Sequence, residues 1–231
     1  MALYLTEKIQ TESSLLPRPA FPLFGAFLTL GLFLATMSVA QVRVIDGDTL
    51  EIDGKGYRIH GIDAPEIGQK CGGWHCGKEA ANELLSLIAG QAVQCEALDT
   101  DRYGRLIAIC RAGGTDLGQA LVERGFAWAY REYSGDYVPQ EDKARSARLG
   151  VWQSNNQPPW EFRKERWREA INQSPREGCP IKGNISQNGQ IYHTPWSPWY
   201  NRTKINEAKG ERWFCDELEA VQAGWRAPYW P

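Results

Sequence analysis

Hydrophobic and polar residues alternate along residues 42–62. The apolar positions fall into three short runs at residues 42–44, 50–52 and 57–59. The pairs Asp46-Gly47 and Asp53-Gly54 separate these runs, and Asp-Gly is a common hairpin turn. A period of two between turn signals predicts three short antiparallel strands.

The period changes to a helical one over residues 77–89, where Gly90 is the predicted end. Two more strands are predicted at residues 93–98 and 106–110, and a polar loop joins them. A second helix is predicted at residues 116–124, with Thr115 or Asp116 as its N-cap. The third is predicted at residues 139–149, with Pro139 in its first turn. Five short strands with interposed helices favour an α+β fold, a small OB-type barrel with three helices.

The rest of the chain divides by composition. Residues 158–168 form a basic, tryptophan-bearing helical segment, and residues 171–178 have the composition of a linker. We therefore predict a barrel domain at residues 41–170 and a small C-terminal module at residues 179–231. So small a module cannot bury much apolar surface without a cross-link.

Residues 21–40 carry no charged side chain and end in Ser38-Val39-Ala40. The small residues near the end favour a cleaved signal peptide, whereas the length also fits a retained membrane anchor. Both alternatives place the barrel outside the cytosol. The protein is therefore predicted to be secreted, periplasmic or membrane-anchored.

The chain has six cysteines, an even number behind an export segment, which favours disulfides. A zinc site is the weaker alternative, since Cys71 and Cys76 have no second metal-like pair nearby. Six cysteines allow fifteen connectivities. Proximity in the inferred fold favours these pairs: Cys71 with Cys76, Cys95 with Cys110, and Cys179 with Cys215.

The formal net charge is −2, and 42% hydrophobic with 23% charged residues is an ordinary globular composition. A tight, nonspecific nucleic-acid binder would usually be basic. The charge instead suits a protein that processes a polyanion and releases it.

Candidate chemistry lies in three short runs of the barrel sequence. They are Val44-Ile-Asp-Gly-Asp-Thr-Leu50, Arg58-Ile-His-Gly-Ile-Asp-Ala-Pro-Glu66 and Asp101-Arg-Tyr-Gly-Arg105. A hard cation prefers carboxylate oxygens, an attacking water needs a base, and a phosphorane-like transition state needs fixed positive charge. Each run alone is explained by turn chemistry, but their combination fits phosphodiester cleavage.

In this order the runs resemble the staphylococcal nuclease (thermonuclease) family over residues 42–153. Leu121-Val-Glu-Arg-Gly125 and Gly150-Val-Trp152 also carry the resemblance. It implies a five-stranded OB barrel with three helices and a Ca²⁺-dependent phosphodiesterase acting on DNA and RNA.

The resemblance also implies roles for individual residues. Asp48 and Asp63 match the family's metal carboxylates, and Ala64 lies where the family uses a backbone carbonyl as a further ligand. Glu66 matches the acid assigned as general base. Arg58 and Arg105 match the guanidiniums that hold the scissile phosphate.

Tyr103 and Tyr130 match aromatic positions near the family's nucleotide, and packing roles remain open for both. Asp46 and Thr49 lie beside the same motifs. The resemblance implies no role for the three histidines, and their spacing groups them into no site.

The C-terminal module resembles a small unit called a sunset domain. Five of the ten tryptophans lie in it: Trp196, Trp199, Trp213, Trp225 and Trp230. They suggest either a stacking platform for single strands or sugars, or the core of a minimal module.

The leading hypothesis is an exported Ca²⁺-dependent endonuclease with DNA and RNA as substrates. The alternative is a catalytically weak or inactive nuclease-fold binding module at the cell envelope. A third hypothesis makes the C-terminal module the main binding unit.

Overall fold

Eleven strands and five α-helices organise the computed structural model, which describes residues 41–230. The predicted export segment at residues 21–40 lies outside the described residues. The strands are β1 (Val42–Asp46), β2 (Thr49–Ile52), β3 (Lys55–Ile59), β4 (Ile62–Asp63), β5 (Val93–Thr100), β6 (Leu106–Ala112), β7 (Thr115–Asp116), β8 (Trp128–Ala129), β9 (Ile181–Ser186), β10 (Gly189–His193) and β11 (Arg212–Phe214). The helices are α1 (Cys76–Ile88), α2 (Leu117–Glu123), α3 (Val138–Ser146), α4 (Pro159–Ala170) and α5 (Glu217–Gln222). Three short 3₁₀ helices cover Gly150–Gln153, Ile171–Gln173 and Glu207–Lys209.

The main sheet has the strand order β1-β2-β3-β6-β5, with β7 paired to β6. All its pairings are antiparallel except β3 with β6. The α+β, OB-type fold class predicted from the sequence is confirmed. Among residues 41–230 no ladder joins β1 to β5, so hydrogen bonds do not close the barrel that was predicted.

The apolar positions of the strand pattern form the core of this sheet. Val44, Leu50 and Ile59 are almost fully buried, as the alternation predicts. Leu84 of α1 and Leu121 of α2 pack against them. The helical and strand periods therefore direct their apolar faces to one core.

The helix boundaries follow local signals with one exception. The N-cap of α2 is Asp116, whose carboxylate accepts a hydrogen bond from the Gln119 amide. The predicted end of α3 at residue 149 is wrong, because the helix ends at Ser146 and Arg148 adopts a positive φ of 50°. Here Gly150 lies against Gly125, and the Val151 amide donates to the Gly125 carbonyl at 2.9 Å.

Helix α4 corresponds to the basic helical segment predicted at residues 158–168. It adds a fourth helix to the three predicted for the barrel. It begins at Pro159, a favourable first-turn residue.

All six cysteines form disulfides: Cys71–Cys76, Cys95–Cys110 and Cys179–Cys215. These are the pairs favoured from the sequence. The zinc alternative fails because a disulfide sulfur is not a thiolate ligand.

The C-terminal module has a core of its own and packs on the main sheet. The core joins Ile181, Phe214 and Trp225 around the three-stranded sheet β10-β9-β11. The Trp230 amide donates to the Val44 carbonyl at 2.9 Å, and its indole donates to Asn82 at 3.0 Å. The described residues therefore form one compact unit, while the predicted domain boundaries stay a prediction.

Within residues 41–230, no helix combines the length and the apolarity needed to cross a membrane.

We expect the Cys179–Cys215 disulfide to contribute more stability than Cys71–Cys76. The first joins residues 36 positions apart and the second residues five positions apart. A longer closed loop removes more entropy from the unfolded chain, which corresponds to about 4 against about 2 kcal/mol. Urea unfolding of the two double Cys→Ala variants measures this difference, and a larger loss for the shorter loop would contradict it.

The burial of His193 predicts a loss of stability at low pH. Its ring is 7% exposed and lies 3.0 Å from Asn184 Oδ1 and 3.4 Å from Ser197 Oγ. Burial, reinforced by the charges of Arg202 and Lys182, lowers the pKa of His193 to about 4. The unfolded chain binds a proton near pH 6.5.

Between pH 6.5 and pH 4, the His193 ring therefore binds a proton in the unfolded state but not in the folded state. The free energy of unfolding falls as the pH drops over this range. His193→Gln keeps hydrogen-bonding atoms but cannot titrate. We expect the wild type to lose about 3 kcal/mol more than this variant between pH 7 and pH 4. Denaturant unfolding at both pH values is the measurement, and equal losses would refute the prediction.

Candidate active site

The three predicted runs meet at the end of the main sheet. Asp48 lies in the β1–β2 turn, and Asp63 ends β4; both are buried, with exposed fractions of 2% and 0%. Gly47 is required in that turn, because a Cβ there would lie 2.7 Å from Ala80 of α1 and 2.8 Å from Ala64. Close packing of the turn on α1 therefore places Asp48 inside the site.

Arg58 of β3 joins the two predicted metal carboxylates. Its Nη1 donates to Asp48 at 2.5 Å and its Nη2 to Asp63 at 2.8 Å. The Ala64 amide also donates to the second oxygen of Asp48, at 2.7 Å. Asp48, Asp63, Arg58 and Ala64 thus lie together, while the ligand role predicted for the Ala64 carbonyl stays a prediction.

Arg105 approaches from the β5–β6 loop. Its Nε donates to Asp101 at 2.7 Å, and the same carboxylate accepts the Tyr103 and Arg105 amides. The guanidinium lies 5.3 Å from the centre of the Tyr103 ring. Asp101 therefore positions Arg105, and Glu66 lines the same cleft.

Tyr130 lies on the other side of the site, directly after β8. Its amide donates to the Gly61 carbonyl, and its ring packs on Trp160, 5.7 Å between centroids. Burial raises the pKa of its hydroxyl to about 12. Tyr103 and Tyr130 thus both have protein neighbours in the described residues, and their predicted contacts to nucleotide stay predictions.

A residue that was not predicted, Arg163 of α4, completes the site. Its Nη1 and Nη2 donate to the two oxygens of Asp63 at 3.0 and 2.7 Å. Its Nη1 also donates to Glu66 at 2.8 Å. Arg163 thus contacts both the buried Asp63, a predicted metal ligand, and Glu66, the predicted base.

Packing at the start of α4 directs Arg163 into the site. Trp160 contacts Trp128, which pairs with Asp63 in the β4–β8 ladder. Arg163 follows Trp160 by three residues and therefore lies on the same helix face. Buried Gln69 also donates to the Gln157 carbonyl at 2.7 Å, just before α4. The sequence indicated a basic helix, but not which of its cations faces the acids.

Burial perturbs the acids of the site. It raises the pKa of Glu66 to about 7, although the charge and hydrogen bond of Arg163 oppose the rise. It also raises the pKa of Asp48 against the effect of Arg58, and that of Asp46, where the charge of Glu66 adds to the rise. Burial and Arg58 lower the pKa of Arg105, but Glu217 and Asp101 more than offset them.

The residues fit a divalent cation in charge and donor type. Four carboxylates, Asp46, Asp48, Asp63 and Glu66, share two guanidiniums, Arg58 and Arg163. Arg105 lies at the same cleft, so the carboxylates outnumber the guanidiniums by one, and carboxylate oxygens suit Ca²⁺. Within residues 41–230, no three acid, histidine or cysteine side chains are arranged to hold a metal. Since Arg163 engages both oxygens of Asp63, a cation at Asp63 requires that guanidinium to move.

Fold and site together define an OB-type protein with a buried carboxylate and guanidinium cleft. Residues 57–154 match the family model described as staphylococcal nuclease homologue. Residues 169–227 match a second model, described as ArfC. Arg163 lies between the two matched segments. The resemblance of the module to a sunset domain stays a prediction.

Three curated relatives are similar to about half of this chain. The chain is 36% identical over 141 residues to a protein named micrococcal nuclease of Shigella flexneri, covering 53% of this chain and 78% of the relative. It is 36% identical over 124 residues to succinoglycan biosynthesis protein ExoI of Rhizobium meliloti, covering 50% and 65%. It is 38% identical over 135 residues to an uncharacterized 38.1 kDa protein of Capnoides sempervirens, covering 55% and 38%. The chain belongs to the staphylococcal nuclease family.

We expect Arg163→Ala to destabilise the metal-free protein by about 2 kcal/mol at pH 8. Its loss leaves Glu66 without its counter-ion and removes two hydrogen bonds from buried Asp63; a fully buried pair would cost more. In the wild type the raised pKa of Glu66 lowers stability as the pH rises from about 4.5 to about 7. Without Arg163 that pKa is higher still, so the variant's deficit widens above pH 7.

Urea unfolding from pH 5 to pH 9 measures this effect. Arg166→Ala is the matched control, because Arg166 lies on the same helix but pairs only with Glu169 on the surface. Two results would show that the ion pairs do not stabilise the fold. One is an equal loss of unfolding free energy in Arg163→Ala and Arg166→Ala; the other is a loss in Arg163→Ala that becomes smaller above pH 7.

Proposed function

We propose that this protein is a metal-dependent endonuclease that hydrolyses phosphodiester bonds of DNA and RNA, with Ca²⁺ as its cation. The observation that supports it most is the bridge from Arg58 to Asp48 and Asp63, at a cleft that Glu66 and Arg105 line. Cation ligands, a base and phosphate-binding guanidiniums are thus present in one place. Membership of a family with relatives named as nucleases adds support.

Each side chain has a role that its surroundings suit. Asp48, Asp63 and the Ala64 carbonyl would hold the cation, which when bound would neutralise a phosphate oxygen and polarise the attacking water. Glu66 removes a proton from that water, and a base with a pKa of about 7 is well matched to neutral pH. Arg105, oriented by Asp101, binds the scissile phosphate and stabilises charge in the transition state.

Arg58 forms ion pairs with both proposed cation ligands, Asp48 and Asp63. Its planar guanidinium aligns the carboxylates of Asp48 and Asp63, and a guanidinium also suits phosphate oxygens. The same group can therefore order the cation ligands and bind a phosphate oxygen.

We propose an exported protein, secreted, periplasmic or membrane-anchored through residues 21–40. Three disulfides support this location, because disulfides persist in oxidising compartments.

A catalytically weak or inactive binding module is the second candidate function. The ion pairs of Arg163 with Asp63 and Glu66 favour it, since they occupy oxygens that the reaction needs. If this protein is an enzyme, Arg163 would have to be displaced from Asp63 when the cation binds.

We expect the purified protein to cleave plasmid and single-stranded DNA with Ca²⁺ and not with excess chelator. Arg58→Ala and Arg105→Ala should each lower kcat by a hundredfold to a thousandfold, because each removes fixed charge at the phosphate. Arg111→Ala, an exposed arginine of β6, is the matched control and should keep the wild-type rate.

Gel electrophoresis of timed digests measures these rates. No metal-dependent cleavage by the folded wild type would refute the enzyme proposal. A full rate in either site variant would refute the role given to that arginine.

A further inference from the structure

A cleft of about 100 Å³ lies between the candidate active site and the C-terminal module. One side carries Glu66 and Arg105 of the nuclease-like part. The other side carries Tyr192, Trp196 and Trp199 of the module. A ligand whose phosphate reaches Arg105 is therefore next to an aromatic wall that lies outside the segment matched to the nuclease family.

Packing behind the wall holds it in place. The Trp196 ring lies 6.4 Å from Trp167 of α4. A Cβ at Gly68, in the loop after Glu66, would lie 2.6 Å from the Trp196 carbonyl, so backbone and backbone approach closely there. Trp199 is supported by the His193 ring at 6.2 Å. Both indoles are only partly buried and retain surface toward the cleft.

The charges of the cleft favour a phosphate at one place. Both sides carry carboxylates, and Arg105, on the nuclease-like side, is the one cation among the described residues that line the cleft. Glu217, which accepts a hydrogen bond from the Tyr192 hydroxyl at 3.0 Å, puts a carboxylate on the module side. A carboxylate repels a second phosphate but accepts hydrogen bonds from the N–H groups of a base. The module side therefore suits a nucleobase better than backbone.

Stacking on aromatic rings is open only to a base that is not inside a duplex. Every base has a flat face, so such contacts tolerate any sequence. In a duplex the bases are paired and stacked inside the helix, and extruding one costs free energy. The two-sided cleft thus fits a phosphate with an unpaired nucleotide attached.

We propose that Trp196 and Trp199 of the C-terminal module form a base-binding subsite beside the nuclease site, which selects unpaired DNA or RNA over duplex. This inference rests on the proposed function, because it places the scissile phosphate at Arg105. The module is then a part of the substrate site.

The test compares two single-stranded oligonucleotides with the same backbone, one with all bases and one with abasic nucleotides at its centre. We expect Trp196→Ala and Trp199→Ala each to raise KM for the base-bearing strand by about fivefold to a hundredfold, as base–aromatic stacking implies. Cleavage of the abasic strand should keep the wild-type KM, which also shows that each variant is folded. Trp196→Phe retains a flat ring and should restore most of the affinity.

Trp213→Ala is the matched control, since Trp213 belongs to the same module and does not line the cleft. It should leave both KM values unchanged. The wild type should also prefer the base-bearing single strand to a duplex of the same sequence, and the two cleft variants should lose that preference. Unchanged KM values in both cleft variants, or equal losses on the two strands, would overturn the subsite.

Fluorescence anisotropy with labelled strands separates this inference from the nuclease proposal. It is measured on Glu66→Gln in Ca²⁺, so that binding does not depend on cleavage. A preference for the base-bearing strand that Trp196→Ala removes supports the subsite even for a protein without activity. Equal affinity for both strands overturns it, whatever the wild type cleaves.

Discussion

The arrangement of the site depends on the compensation of buried carboxylates by guanidinium groups. Asp63 has no exposed surface and Asp48 almost none, so neither could remain charged there without a partner. Arg58 satisfies one oxygen of each, and three separate chain segments are thereby held at fixed positions: the β1–β2 turn, β3 and the end of β4. The compensation is incomplete, because Asp46 and Glu66 add further carboxylates to the same site.

Arg163 extends this principle to a segment outside the part matched to the nuclease family. Helix α4 contributes a second guanidinium to Asp63 and the only one to Glu66 among the described contacts. Its position depends on Trp160, which packs beside the strand that pairs with β4. The same helix carries Trp167, which contacts Trp196 of the module. Helix α4 therefore connects the acids of the site to the aromatic wall. A movement of α4 that displaces Arg163 would change the contacts at both places.

Local signals were sufficient for much of the fold. The alternation around the Asp-Gly turns predicted β1 to β3, and the helical period with Gly90 predicted α1 to within one residue. Asp116 was correctly among the N-cap candidates for α2, since capping depends only on residues three positions apart. The end of α3 could not be predicted in this way, because it follows from contact between Gly125 and Gly150, 25 residues apart.

The site was predictable to the extent that family motifs carry it. Asp48, Asp63, Arg58 and Glu66 lie together as the resemblance implies, with Arg105 at the same cleft. Arg163 contacts Asp63 across 100 residues, and nothing in the pattern of α4 distinguishes it from Lys164, Arg166 or Arg168. Only the tertiary packing of Trp160 selects which cation faces the acids. The aromatic wall was hidden for the same reason, since its distance from Arg105 is set by docking of the module.

The net charge of the protein makes short-range contacts at this cleft important for the proposed binding of a nucleic acid. A net charge of −2 gives a polyanion no long-range attraction, and Glu217 and Asp101 further reduce the positive field around Arg105. Affinity for a nucleic acid must then come from contacts made at the site. In the proposed complex a guanidinium would provide one for the phosphate, and a stacking surface would provide one that neither salt nor acidic neighbours weaken much. In a nuclease-family protein without net positive charge, an aromatic module at the edge of the site would therefore supply affinity that long-range electrostatics does not.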